Sequence, residues 1–202
     1  MKNEDMEKRF LEGIKNHKMK IIKDDGLYKH LRFKAPDTYC MYFDIITYPG
    51  GLLYTGDAGT FVFSRIEDMI DFFRNDKKEL LINPCYWAEK VKAESISGGG
   101  IKEFDSEIWK KRIIEYWEEY YEDDIDSEKA QITLSEIHEN IFHGESSEWY
   151  WVSTIYNADF TDKRFAGWDL FESLGDGKKY TWHYLWCCYA LSWAVIQYDN
   201  NK

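Results

Sequence analysis

The chain has 202 residues, 44% of them hydrophobic and 18% aromatic, with three prolines and a formal net charge of −11. Such a composition argues against disorder outside the termini and supplies a sizeable core of large rings, in one domain or a domain with a helical annex. No cluster of Lys and Arg is large enough for direct nucleic-acid binding, which this charge balance disfavours.

Residues 1–16 read as a short amphipathic helix or arm. Leu27 to Lys34 alternates, with Leu27, Leu31 and Phe33 on one face and Tyr28, His30 and Arg32 on the other. Tyr39 to Tyr48 is aromatic and β-branched and reads as a central strand. Pro49-Gly50-Gly51 turns the chain. Leu52 to Thr55 and Thr60 to Arg65 follow as two short strands joined by the hairpin signal Gly56-Asp57-Ala58-Gly59. About four strands so closely spaced predict an antiparallel sheet.

Helices come next. Ser64 with Glu67 has capping-box spacing, and Ile66, Met69, Ile70 and Phe73 form an apolar stripe ending near Asn75. Asn83-Pro84 opens a short helix through Tyr86, Trp87 and Val91. Gly98-Gly99-Gly100 is the best linker candidate. Beyond it, Trp109, Ile113, Tyr116, Trp117 and Tyr120 recur at helical spacing, as do Ala130, Leu134, Ile137 and Ile141 after a Ser127 cap. They predict an antiparallel helix pair packed on the sheet. The closing helix, Thr181 to Tyr198, is apolar all round and should be buried on most sides. The expected fold class is therefore α+β, an N-terminal antiparallel sheet packed with C-terminal helices. We expect one domain in three parts: 1–97 as the sheet half, 98–148 as a helical block and 149–202 as an aromatic helical part.

The charge is uneven. Residues 1–104 carry 17 basic and 17 acidic side chains, residues 105–148 carry 4 and 14, and residues 149–202 carry 5 and 6. The acidic block is either a solvated helical face or a surface presented to a basic partner, imitating the DNA backbone. The charged start, Met1 to Arg9, leads us to expect no secretory signal, and the uncharged run between His183 and Asp199 is too short to cross a bilayer. Cys40, Cys85, Cys187 and Cys188 lack paired spacing and are expected as free, buried thiols in a reducing cytoplasm.

No metal or cofactor is expected. His138 and His143 lie five apart, not the three or four that stacks side chains on a helix, and neither a Cys-x-x-Cys nor a Gly-x-Ser-x-Gly motif occurs. The glycines of 56–59 lack P-loop spacing and its lysine. The most suggestive set is cationic and lies on the sheet half. His30 and Arg32 share a strand face, Arg65 ends a strand after the glycine-rich turn, and Arg74 ends the next helix. Guanidiniums at strand ends suit phosphate, and Tyr28, Tyr54 and Phe61 could stack a base. The competing reading is ordinary ion pairing with Asp57, Glu67, Asp68 and Asp71. The candidate ligand-binding residues are thus His30, Arg32, Tyr54, Asp57, Thr60, Arg65 and Arg74.

Two stretches carry a resemblance. One is Pro49-Gly50-Gly51-Leu52 through Gly56-Asp57-Ala58-Gly59-Thr60-Phe61-Val62-Phe63-Ser64-Arg65, continuing to Asp68-Met69 and Phe72-Phe73-Arg74. The other is Tyr184-Leu185-Trp186-Cys187-Cys188-Tyr189-Ala190 with Trp193 and Tyr198-Asp199. With His30-Leu31-Arg32 and Asn83-Pro84-Cys85-Tyr86-Trp87, they resemble a widespread family of small phage and prophage proteins. The resemblance covers the sheet half and the last helix, and it implies a phage accessory protein acting inside a bacterium, of a kind that often counters host defence. It carries over no catalytic residue. Within that setting three functions are open, in this order. The first is sequestration of a phosphorylated nucleotide immune signal without cleavage, with several subunits enclosing the ligand. The second is direct inhibition of a host defence protein through the acidic helices, and the third is phosphodiesterase-like catalysis by His30 with an acid such as Asp57. No membrane partner is expected.

Overall fold

Period-two alternation builds a six-stranded sheet in the first hundred residues and 3.6-residue periodicity builds helices, five of the eight described ones after it, so the fold is α+β. The computed structural model describes residues 3–77, 79–95, 99–143 and 147–201. The main sheet has six strands, β1 (Lys18–Asp25), β2 (Tyr28–Lys34), β3 (Phe43–Tyr48), β4 (Gly51–Gly56), β5 (Gly59–Phe63) and β6 (Val91–Glu94), and two short strands, β7 (Lys102–Phe104) and β8 (Lys178–Tyr180), pair as a separate sheet. In the main sheet each strand pairs antiparallel with the next, so spatial order equals chain order. The four expected strands are β2 to β5; β1 and β6 add the edges. Tyr39 to Tyr42 are not part of β3. Met41 takes the left-handed conformation (φ 58°), its N–H donating to Asp57 (2.7 Å) and its carbonyl accepting from His17 Nε2 (3.0 Å).

The helices are α1 (Asn3–Ile14), α2 (Met69–Phe73), α3 (Pro84–Ala88), α4 (Ser106–Tyr120), α5 (Glu128–Asn140), α6 (Glu148–Tyr156), α7 (Gly167–Ser173) and α8 (Trp182–Asn200). Met1 and Lys2 of the expected N-terminal arm lie outside the described residues. Asp68, not Ser64, caps α2 by accepting from the Ile70 N–H. Asn83, Ser127 and Thr181 cap α3, α5 and α8 as their side-chain chemistry predicts, each accepting from an N–H three residues on. The Pro84 helix stops at Ala88, and Val91 opens β6 instead. Cys187 and Cys188 are buried free thiols on α8, but Cys40, in the turn before β3, and Cys85, in the first turn of α3, are exposed rather than buried.

The chain divides into two compact units, Met1–Lys102 with Tyr180–Lys202, and Glu103–Lys179. The division falls at Lys102 and Glu103; Gly98 of the expected linker lies outside the described residues. The first unit has its core between one sheet face and the helices. Leu31, Phe33, Phe43, Ile45, Leu52, Tyr54 and Phe61 point inward and are buried. Against them α8 sets the Trp193 ring, 5.5 Å from Phe33, and the Tyr184 ring, 5.6 Å from Phe61. The intervening side chains therefore face the other side of the sheet. The second unit has its own aromatic core, including Trp109, Trp117, Trp151 and Phe165, with Trp117 Nε1 donating to the Ala130 carbonyl. Its 20 acidic against 8 basic side chains hold all of the chain's net negative charge.

The β4–β5 hairpin depends on a close backbone approach. A Cβ at Gly56 would stand 2.2 Å from the Tyr42 carbonyl oxygen and 2.8 Å from Phe43 Cα, neither of which can swing aside. Gly56→Ala is expected to destabilise the first unit by roughly 1–3 kcal/mol, as overpacking does. A denaturant melt that superposes on wild type would remove this account of the hairpin.

Candidate functional site

The outer sheet face is organised around Asp44. On β2, His30 and Arg32 point outward, and antiparallel pairing with β3 sets Arg32 directly opposite Asp44. Arg32 Nε and Nη2 donate to the two Asp44 oxygens at 2.8 and 2.7 Å, and His30 Nε2 lies 2.9 Å from Oδ2. The carboxylate is buried. Burial would raise its pKa, but the hydrogen bonds from Arg32 and His30 outweigh that and hold it below the usual carboxylate range. The same hydrogen bond raises the pKa of Arg32. Thr55 on β4 faces Asp44, and its hydroxyl meets that of Thr60 on β5 at 2.8 Å. A polar row thus crosses four strands, from Arg32 through Asp44 and Thr55 to Thr60.

The edge strand β1 makes this face basic. Its register against β2 sets Lys18 opposite Lys34, Lys20 opposite Arg32 and Lys23 opposite His30, the last after a bulge at Ile22. Like charges directly opposite on a sheet are destabilising, so the Lys18–Lys34 and Lys20–Arg32 rungs call for counter-charge. Asp44 supplies some at the middle rung, and Asp25 lies 3.7 Å from Lys23. Among the described residues no carboxylate comes within ion-pair distance of Lys18, Lys20 or Lys34. The Lys34 ammonium donates to the carbonyls of Ala35, Pro36 and Thr38, so it offers charge rather than free donors. It also lies 4.6 Å from the centre of the Tyr39 ring, and Lys23 lies 5.5 Å from that of Tyr28. Both rings are exposed, Tyr39 at 57% and Tyr28 at 51%.

A cleft of about 560 Å³ opens beside the first rung, lined by Lys15, His17, Lys18, Pro36 and Asp37 among others. Burial lowers the pKa of His17, partly opposed by its bond to Met41, and its Nδ1 is buried without a partner among the described residues.

The structure brings His30, Arg32 and Thr60 onto one face and sends the other expected residues elsewhere. Tyr54 and Phe61 are buried on the inner face and cannot stack a ligand outside. Asp57 sits in the hairpin turn and fixes the Met41 backbone, so the carboxylate at His30 is Asp44 and not Asp57. Arg74 is committed to Asp199, at 2.8 and 2.9 Å, and to Asp71. Arg65 is exposed beyond the end of β5, three strands and so about 14 Å across the sheet from β2. Sequence reasoning missed Asp44 and the β1 lysines. Two signals could have found them: a lone acid inside the apolar run of 39–48, and Asp25-Gly26 between two alternating stretches, a strong hairpin mark. Among the described residues no group of three or more His, Cys, Asp or Glu side chains could hold a metal ion, and no helix is long and apolar enough to cross a membrane.

Comparison with family models, with curated proteins and with solved structures returned no match to this chain.

Proposed function

We propose that this chain is a phage protein that counters bacterial antiviral defence by binding and sequestering a phosphorylated nucleotide immune signal without cleaving it. The setting rests on the resemblance of the two stretches in the sheet half and last helix to small phage and prophage proteins. The ligand class rests on one observation, the three successive basic rungs of β1 and β2. An anionic ligand would offset the repulsion of the Lys18–Lys34 and Lys20–Arg32 rungs, Arg32 offers a guanidinium already oriented by Asp44, and Tyr28 and Tyr39 offer faces on which bases stack.

Calorimetric titration of the purified protein with ribonucleotides tests this reading, with mass spectrometry of the recovered ligand. Binding at micromolar concentration with the ligand returned intact is expected. Arg32→Ala and Lys20→Ala should each weaken binding at least tenfold, and affinity should fall as salt is added. Turnover of the ligand would favour a phosphodiesterase, and no binding would overturn the proposal.

A second reading is favoured by the charge and exposed rings of Glu103–Lys179. Trp149 is 78% exposed, and Tyr156 and Trp168, also exposed, pack edge to face at 5.2 Å. Exposed tryptophan amid acidic side chains suits a basic protein surface, here a host defence protein. Co-purification of such a protein, abolished by Trp149→Ala with the sheet face intact, would put this reading first.

A further inference from the structure

The spacing of the basic rungs says more about the ligand than their sign does. Along β2 the outward residues Lys34, Arg32 and His30 recur every second position, so successive rungs stand about 6.8 Å apart and the three span about 14 Å. Lys18, Lys20 and Lys23 face them in register, one per rung. In a nucleoside triphosphate the phosphates are joined through single bridging oxygens, and the whole group is too short to reach from the first rung to the third. In an oligonucleotide each phosphate is separated from the next by a nucleoside, a repeat close to the rung spacing.

We infer that the ligand of this face is a short oligonucleotide that lays one phosphate on each of the three rungs, running along β2 from Lys34 to His30. The inference rests on the nucleotide reading given above and narrows it. The middle phosphate meets Lys20 and Arg32. Asp44 takes Nε and Nη2 of Arg32, which leaves Nη1 outside that pairing and aims the guanidinium. The outer phosphates meet Lys18 at one end and Lys23 with His30 at the other. Both ends of the ladder carry an exposed ring. Tyr39, edge to face with Tyr42 at 5.3 Å, stands by Lys34, and Tyr28 stands by Lys23, so terminal bases have surfaces to stack on. The ladder holds three phosphates and ends where β2 ends, so a longer strand gains nothing from it beyond the third.

The test compares four probes at one ionic strength: a 5′-phosphorylated ribotrinucleotide, the corresponding mononucleotide, ATP and inorganic tripolyphosphate. The trinucleotide is expected to bind at least tenfold more tightly than ATP. Its log affinity should fall against log salt with a slope near −2, about −0.7 for each of three phosphates on a single strand. Lys20→Gln should flatten that slope, by less than the ~0.7 of a whole phosphate because Arg32 still meets the middle one, and weaken the trinucleotide more than the mononucleotide. Lys18 and Lys20 are exposed, so circular dichroism should confirm that the variants remain folded. ATP or tripolyphosphate binding as tightly as the trinucleotide would overturn the ladder and leave nucleotide binding standing. An unchanged salt slope in both Lys18→Gln and Lys20→Gln would also overturn it. If none of the four probes binds at micromolar concentration, both readings fall together.

Discussion

Trp186→Ala is expected to cost roughly 3–5 kcal/mol, the usual loss when a buried ring is truncated in a packed core. Trp186 is 2% exposed on α8 and meets Phe10 of α1 edge to face at 5.1 Å. The fit is close on the α1 side. A Cβ at Gly13 would stand 2.5 Å from the ring's outermost carbon, so that glycine is what lets the helix lie against the indole. Removing the ring opens a cavity that α1 cannot fill without moving. The loss is a large share of the 5–15 kcal/mol that holds a typical domain together, so poorly soluble or loosely packed protein is the expected result. Trp186→Phe should be much milder, because it keeps an aromatic body and deletes Nε1, which is buried without a partner among the described residues. Denaturant melts of the two variants check the ranking. A Trp186→Ala protein melting within about 2 °C of wild type would mean that the α1–α8 contact contributes little.

Asp44→Ala is expected to be the most disruptive change on the sheet face, at about 2–3 kcal/mol. It removes the acceptor of three hydrogen bonds to charged or chargeable donors and leaves the middle rung without its counter-charge. The pH dependence follows from the direction of its shift. The carboxyl is held below the ordinary value of 3.8 in the folded protein, so its contribution is present in full above that value. It is lost as pH falls through the lower folded-state pKa. The wild-type advantage over Asp44→Ala should therefore be constant from about pH 5 upward and shrink in more acid solution. Asp44→Asn, which keeps the shape, should show the same loss of pH dependence. Parallel stability curves for wild type and Asp44→Asn between pH 5 and pH 3 would remove Asp44 as the organising charge. Ligand affinity should fall with Asp44→Ala even though a negative charge has been removed, because Arg32 is no longer held in place.

Local chemistry determines much of this protein without any tertiary contact. Alternation in 27–34, the glycines around Asp57 and the β-branched run ending at Tyr48 were enough for β2 to β5. The side chains of Asn83, Ser127 and Thr181 marked helix starts, since a cap acts within three residues of itself. The uninterrupted apolar character of 182–198 was enough to bury α8. Facing and pairing were another matter. In β4 both alternating sets contain a leucine, so nothing local told Tyr54, which turns inward, from Thr55, which turns outward. His30 and Arg32 were legible as one face of a strand, but their partner Asp44 lies on the next strand, and only the β2–β3 register makes it theirs. Arg74 resembled a free cation until the fold brought Asp199 to it from 125 residues away. The basic ladder itself is a property of pairing. Lys18, Lys20 and Lys23 are ordinary surface lysines in the sequence, and they become a site because the β1–β2 register, with its bulge at Ile22, sets each opposite another basic side chain. Charges add in space rather than along the chain, and register decides which charges are neighbours.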